Sequence, residues 1–155
     1  MKLRILVGTM TGTAEYLAQA IELDCADLVA PIEVLLMDQT AAQVFDEAEA
    51  IDTLYLICCS TYGAGDLPDN ARALYDALDA PPRFLGHVRY GVIALGDRAG
   101  HGATYCFGGL KFDARLADLG ARRVGQVWCH DASDGSVAET EGAAWCRQWL
   151  AAALA

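Results

Sequence analysis

The chain has 155 residues, room for one domain of ordinary size and hardly for two. Lys plus Arg total 11 against 21 for Asp plus Glu, a formal net charge of -10 with a pI near 4.5, which disfavours nucleic acid or an anionic membrane surface as a partner. With 54% hydrophobic and 21% charged residues, the composition suits a well-packed soluble globule rather than a disordered acidic tail.

The N-terminal apolar run Ile5-Leu6-Val7 is too short for a signal-peptide core. No stretch approaches the roughly 18 apolar residues that a membrane helix needs. Six cysteines (Cys25, Cys58, Cys59, Cys106, Cys129, Cys146) contain no C-x-x-C pair, so a zinc or iron-sulfur site is not expected. Cys58 and Cys59, adjacent in a strand, should point to opposite faces. Reduced thiols packing as small apolar groups imply a cytoplasmic protein.

Apolar runs recur in chain order at Leu3 to Val7, Ile32 to Met37, Leu54 to Cys59, Val88 to Leu95 and Val124 to Cys129. Each is strand length and rich in Val, Ile and Leu, the pattern of strands buried on both faces. Helical stripes lie between them: Ala14, Leu17, Ala18 and Ile21; Ala71, Leu74, Tyr75 and Leu78; Phe112, Leu116 and Leu119; and finally Trp145, Gln148, Trp149 and Ala152. Ala41 to Glu49 reads as a short acidic helix at best. Trp145 and Trp149 share one helical face and read as core. Alternating strands and helices predict a single doubly wound α/β domain over residues 1-155, with a five-stranded parallel sheet and helices on both faces.

In such a fold, ligands sit beyond the carboxyl ends of the strands where strand order reverses, which directs attention to the loops after strands one, three and four. The first reads Gly8-Thr9-Met10-Thr11-Gly12-Thr13-Ala14-Glu15. Hydroxyls, a glycine and the free amides of a helical first turn converge there, a natural site for a phosphate. A Walker loop would need Lys where Thr13 stands, and no G-x-G-x-x-G occurs, so ATP, GTP and Rossmann-style dinucleotides are disfavoured. With no Lys or Arg in the loop, a phosphate would be answered by dipoles and hydrogen bonds alone. The plainer alternative is that Thr11 or Thr13 only caps the helix.

The second loop reads Ser60-Thr61-Tyr62-Gly63-Ala64-Gly65-Asp66-Leu67-Pro68-Asp69-Asn70. Tyr62 sits where a planar ring could stack, and the two glycines leave the backbone free to approach it or to change conformation. Together with Thr9-x-Thr11-Gly12-Thr13-Ala14-Glu15, this segment resembles the FMN-binding flavodoxin family, above all the MioC-type small flavodoxins and the FMN domains of cytochrome P450 and sulfite reductases. Ala94-Leu95-Gly96-Asp97 and the segment Thr104-Tyr105-Cys106 to Gly108-Gly109 resemble the family's third loop. The likeness runs over nearly the whole chain and is of the short-chain type.

The resemblance implies a flavodoxin-like sheet of order 2-1-3-4-5 with FMN as cofactor. Thr9, Thr11, Gly12 and Thr13 would hold its phosphate, with Met10 lending a backbone amide, and Ser60 and Thr61 would also contact the cofactor. Tyr62 would stack on the isoalloxazine, with Gly63, Ala64 and Gly65 shaping that loop. Leu95, Gly96, Asp97, Tyr105 and Cys106 would border the flavin, the backbone of Gly96, Asp97 and Cys106 reaching its pyrimidine edge. Where the family commonly has Gly-Asp-Ser-x-Tyr, this chain reads Gly96-Asp97-Arg98-Ala99-Gly100-His101-Gly102. One inserted residue would put His101 at the outer stacking position, the alternative being a solvated loop histidine. His87 and His130 belong to no constellation and read as structural or surface residues.

The function implied is that of a carrier with no catalytic residue or metal of its own, shuttling single electrons between an NAD(P)H-dependent flavin reductase and an acceptor redox enzyme. Monomer is the default state. The acidic surface near the flavin edge would guide a basic partner, or would serve solubility alone. A second reading is an FMN-dependent NAD(P)H oxidoreductase acting on a quinone or similar small substrate. A receiver-type signalling domain shares the five-stranded plan, but would want acids where Gly8-Thr9 and Ser60-Thr61 stand.

Overall fold

A computed structural model describes residues 1-155 apart from the side chain of His101. The elements in chain order are β1 (Lys2–Gly8), α1 (Thr13–Asp24), β2 (Ile32–Leu36), α2 (Glu47–Ala50), β3 (Thr53–Cys59), α3 (Asp69–Ala77), β4 (Arg89–Gly96), α4 (Arg98–His101), α5 (Phe107–Asp118), β5 (Arg122–Arg123), β6 (Trp128–Asp131) and α6 (Ala138–Ala153). All strand pairings are parallel, in the order β2-β1-β3-β4-β5, and β6 also pairs with β4. Strand order therefore reverses between β1 and β3. Their carboxyl ends, Gly8 and Cys59, stand side by side in register.

Alternation along the strands divides the core in two. Leu6, Tyr55, Ile57, Cys59, Tyr90, Val92 and Ala94 face α3 and α5, packing with Ala71, Leu74, Phe112 and Leu116. Leu3, Ile5, Val7, Leu54, Leu56, Cys58, Ile93 and Leu95 face α1 and α6, packing with Leu17, Ile21, Cys146 and Trp149. Cys58 and Cys59 indeed lie on opposite faces. Two tyrosines buried in the first layer satisfy their hydroxyls there, Tyr55 donating to the Val44 carbonyl (2.7 Å) and Tyr90 to Asp113 (2.7 Å).

Two expectations need correction. The run Val124 to Cys129 is not one strand: β5 ends at Arg123 and β6 begins at Trp128. Gly125 takes a left-handed φ of 74°, and the Val124 carbonyl accepts a hydrogen bond from the indole of Trp149 (2.8 Å) instead of a strand partner. That indole lies over Gly91, where a Cβ would stand 2.5 Å from the ring, so the helix comes down onto the sheet at this edge. Ala41 to Glu49 is likewise two separate pieces, a 3-10 turn over Ala42–Phe45 and the four residues of α2. Trp145 and Trp149 are core-facing, as their spacing predicts, and their rings stack at 5.8 Å.

Candidate functional site

A cleft of about 400 Å³ opens at the carboxyl ends of β1, β3 and β4. Thr11 and Thr13 border it from the first loop, Ser60, Thr61 and Gly63 from the second, and Leu95, Gly96, Asp97 and Tyr105 from the third. Among the described residues, no lysine or arginine lines it.

The first loop is shaped by its own backbone and by α3. Gly12 caps α1 with a φ of 95°, and no side chain does so, which removes the reading of Thr11 or Thr13 as helix cap. The Thr9 hydroxyl accepts the Gly12 amide (2.9 Å), and the Thr9 amide donates to Asn70 Oδ1 (2.8 Å). Asn70 returns a hydrogen bond to the Val7 carbonyl (3.3 Å), so one side chain of α3 holds both the end of β1 and the loop beyond it. Met10 points away, its sulfur accepting the Asp69 amide at 3.2 Å. Among the described residues, the hydroxyls of Thr11, Thr13 and Ser60 have no partner within the chain and are available to a ligand.

The second loop is cinched by reciprocal backbone hydrogen bonds between Tyr62 and Asp66, both 2.8 Å. Gly63 (φ 54°) and Gly65 (φ 103°) provide the turn. Tyr62 is 47% exposed and stands outside the cleft lining, as do Ala64 and Gly65. Gly65 packs against Thr104 and Phe107 instead. Thr61 Oγ1 accepts the Gly108 amide (2.9 Å), tying this loop to the start of α5.

In the third loop, Asp97 caps α4 by accepting the amides of Ala99 (3.1 Å) and Gly100 (3.3 Å). The Arg98 guanidinium lies over the Tyr105 ring, 4.6 Å from its centroid, and donates to its hydroxyl (2.9 Å). Cys106 is buried beneath the cleft, not in its wall. The expectation for His101 lies outside the described residues.

The cleft has a fourth wall. His130, Ala132, Ser136, Val137, Ala138 and Glu139, from the end of β6 to the first turn of α6, line the same cleft. This corrects the reading of His130 as a residue without a constellation. It is 6% exposed, its Nε2 is 2.8 Å from the Ser136 hydroxyl, and its ring lies 5.5 Å from Trp128. Ser136 in turn donates to Asp134 (2.6 Å). Asp131 accepts from the Ser133 hydroxyl (2.6 Å), the Ser133 amide and the Arg98 amide (both 2.9 Å). These bonds hold both carboxyls below the usual range, Ser133 contributing most at Asp131 and Ser136 at Asp134. The repeated Asp-x-Ser at 131-133 and 134-136 is a visible turn signal for this wall. His87 is a structural residue, with Nε2 2.7 Å from the Phe45 carbonyl.

The family model named Flavodoxin matches residues 5–145. The chain belongs to the flavodoxin family. Flavodoxin YqcA of Escherichia coli (strain K12) is 36% identical over 151 residues, covering 94% of this chain and 93% of that one. Protein MioC of the same strain is 28% identical over 149 residues, covering 94% of each. Among solved structures, a cysteine-to-serine mutant of flavodoxin from Pseudomonas aeruginosa superposes with a TM-score of 0.79 at 32% identity, covering all of both chains. As a flavodoxin the chain is an FMN-binding, electron-transferring type, and its sheet order is the one expected of that family.

The cleft suits the family's cofactor. The hydroxyls of Thr11, Thr13, Ser60 and Thr61, with no cation among them, offer the kind of donors that hold a phosphate through hydrogen bonds. The volume is within the range of a small-molecule site.

Proposed function

We propose that this flavodoxin carries single electrons between an NAD(P)H-dependent flavin reductase and an acceptor redox enzyme, using FMN held in the cleft. The observation that carries this reading is the hydroxyl-lined cleft at the paired carboxyl ends of β1 and β3, with no lysine or arginine in its lining among the described residues, flanked by a loop that leaves Tyr62 exposed.

Bound FMN would supply the redox chemistry itself. The chain's contribution is to bind and to tune. Thr11, Thr13, Ser60 and Thr61 would donate to the phosphate with the amides of the 9-13 loop, which Asn70 holds in place. Tyr62 would turn from its exposed position onto the flat ring system. The backbone of Gly96, Asp97 and Cys106 would border the pyrimidine edge. The Tyr62-Gly63 peptide would present either its N–H or its carbonyl to the ring, because glycine tolerates both signs of φ. Asp66, Asp69, Asp97 and Asp134, all exposed around this end of the molecule, would oppose added negative charge at the site and favour a basic partner. Among the described residues, no helix is long and apolar enough to cross a membrane. Six free thiols accord with a cytoplasmic location, and the carrier is taken to act as a monomer.

The test is the visible spectrum of the purified protein, followed by titration of apoprotein against FMN fluorescence. Flavin bands retained through desalting and stoichiometric quenching are expected. A colourless protein that leaves FMN fluorescence unchanged would overturn the reading. Steady NADPH oxidation by the protein alone would favour an oxidoreductase over a carrier.

A further inference from the structure

The segment 105-109 lies close against the sheet at two glycines. A Cβ on Gly96 would stand 1.3 Å from the Tyr105 carbonyl oxygen, and one on Gly109 would stand 2.5 Å from the Cβ of Ala94. This approach sets Cys106 directly on β4, where its thiol donates to the Ala94 carbonyl (3.3 Å). Ala94 is the register partner of Cys129 on β6, and all three side chains belong to the same face of the sheet. Cys106 and Cys129 therefore both stand at Ala94, one thiol on its carbonyl and the other beside it in the next strand. Cys106 is 2% exposed, whereas Cys129 is only partly covered.

The other cysteines differ. Cys58 and Cys59 point to opposite faces, and burial pushes both thiols up, Cys58 to about 12. Cys25 and Cys146 also interact, but both are fully buried between α1 and α6, out of reach of a solute.

We propose that Cys106 and Cys129 form a site of reversible oxidative modification, a vicinal dithiol that closes to an intramolecular disulfide by exchange with a low-molecular-weight disulfide of the glutathione class. Cys129 is the attacking thiol. It is the more accessible of the two, and the neighbouring Cys106 thiol and Arg98 guanidinium favour its thiolate, whereas Cys129 and burial hold Cys106 as the thiol. The Cys129 thiolate attacks one sulfur of the small disulfide, forming a mixed disulfide and releasing one small thiolate. Cys106 then displaces the second small thiolate from Cys129, its proton passing to a released thiolate. The protein gives up two electrons and the Cys106 proton, and the small disulfide leaves as one thiol and one thiolate, the latter protonated from solvent. The bridge joins the residue after Tyr105 to the residue before His130, coupling two walls of the cleft.

The test uses the folded full-length protein and oxidised glutathione, with alkylation of remaining thiols and peptide mapping. One Cys106–Cys129 cross-linked peptide pair is expected, reversed by dithiothreitol. Cys106→Ser should stop at a stable glutathione adduct on Cys129, formed at least about tenfold faster than on any other cysteine. Cys129→Ser, checked for folding by circular dichroism, should give neither adduct nor bridge. The proposal is overturned by preferential adduct formation at Cys106, by a Cys25–Cys146 bridge, by an intermolecular disulfide, or by a folded chain that stays unreacted while the urea-unfolded chain reacts. The Cys106→Ser result stands even if Cys129→Ser does not fold, and none of these readouts needs the flavin.

Discussion

Asn70 Oδ1 accepts the Thr9 amide at 2.8 Å while its Nδ2 donates to the Val7 carbonyl at 3.3 Å, so one carboxamide on α3 bridges the end of β1 and the loop that follows it. Removing it leaves a donor and an acceptor without their partner, a loss of about 1–3 kcal/mol. Asn70→Ala should lower the stability of the apoprotein by that order in urea unfolding. It should also weaken FMN about tenfold in a quenching titration, the equivalent of ~1.4 kcal/mol. Unchanged affinity would show that the loop keeps its shape without α3.

Gly96 sits under the Tyr105 carbonyl so closely that no side chain fits. Gly96→Ala must push the 105-109 segment off β4, and a destabilisation on the order of 3 kcal/mol is expected. Gly102→Ala, a neighbouring position with nothing within 4 Å of an added Cβ, is the control and should unfold at nearly the wild-type denaturant concentration.

At Gly63 the left-handed φ of 54° coincides with the peptide expected to reorient beside the flavin. Val at this position resists both the turn and the reorientation. The two one-electron reduction potentials of the bound flavin should move closer together in Gly63→Val, each 59 mV corresponding to about a tenfold change in an equilibrium constant. Equal separation in variant and wild type would remove Gly63 from the tuning of the cofactor.

Asp131 ties the third loop to the β6–α6 turn through the Arg98 amide and Ser133. Its carboxyl titrates below the ordinary range, chiefly because of the Ser133 hydroxyl. A depressed native value means that the tie is fully present above the ordinary aspartate value of about 3.9 and is lost as pH falls through the lower native one. FMN retention in the wild type should therefore decline on acidification through that window. Asp131→Asn should bind more weakly at neutral pH and show a shallower acid limb, read by FMN release at each pH.

The exposed acids around the cleft predict a salt-dependent encounter with a basic reductase. Stopped-flow reduction should slow as ionic strength rises. A flat rate would leave solubility as the role of the net charge.

Strands β1, β3 and β4 are legible in the sequence because each is covered on both faces, and continuous apolar runs have few other uses at that length. The edge of the sheet is not, since Val124 to Cys129 carries the same apolar signal while the Val124 carbonyl is claimed by Trp149 from a helix at the other end of the chain. Three walls of the cleft announce themselves through glycines and hydroxyls next to strand ends. The fourth does not, because His130, Ser136 and Glu139 acquire meaning only when α6 packs beside α1 and turns them toward the first loop. Asn70 is visible as a residue of the second loop, but its hold on the first is a tertiary fact.

The rings of Trp128, Trp145 and Trp149 form one continuous stack, 6.2 and 5.8 Å between neighbouring centroids, and these are the chain's 3 tryptophans. The tryptophan emission of the molecule therefore comes from a single place, the seam between α6 and the outer edge of the sheet. Trp128 touches the ring of His130, which lines the cleft, so this seam is a built-in optical window on the wall that the sequence conceals.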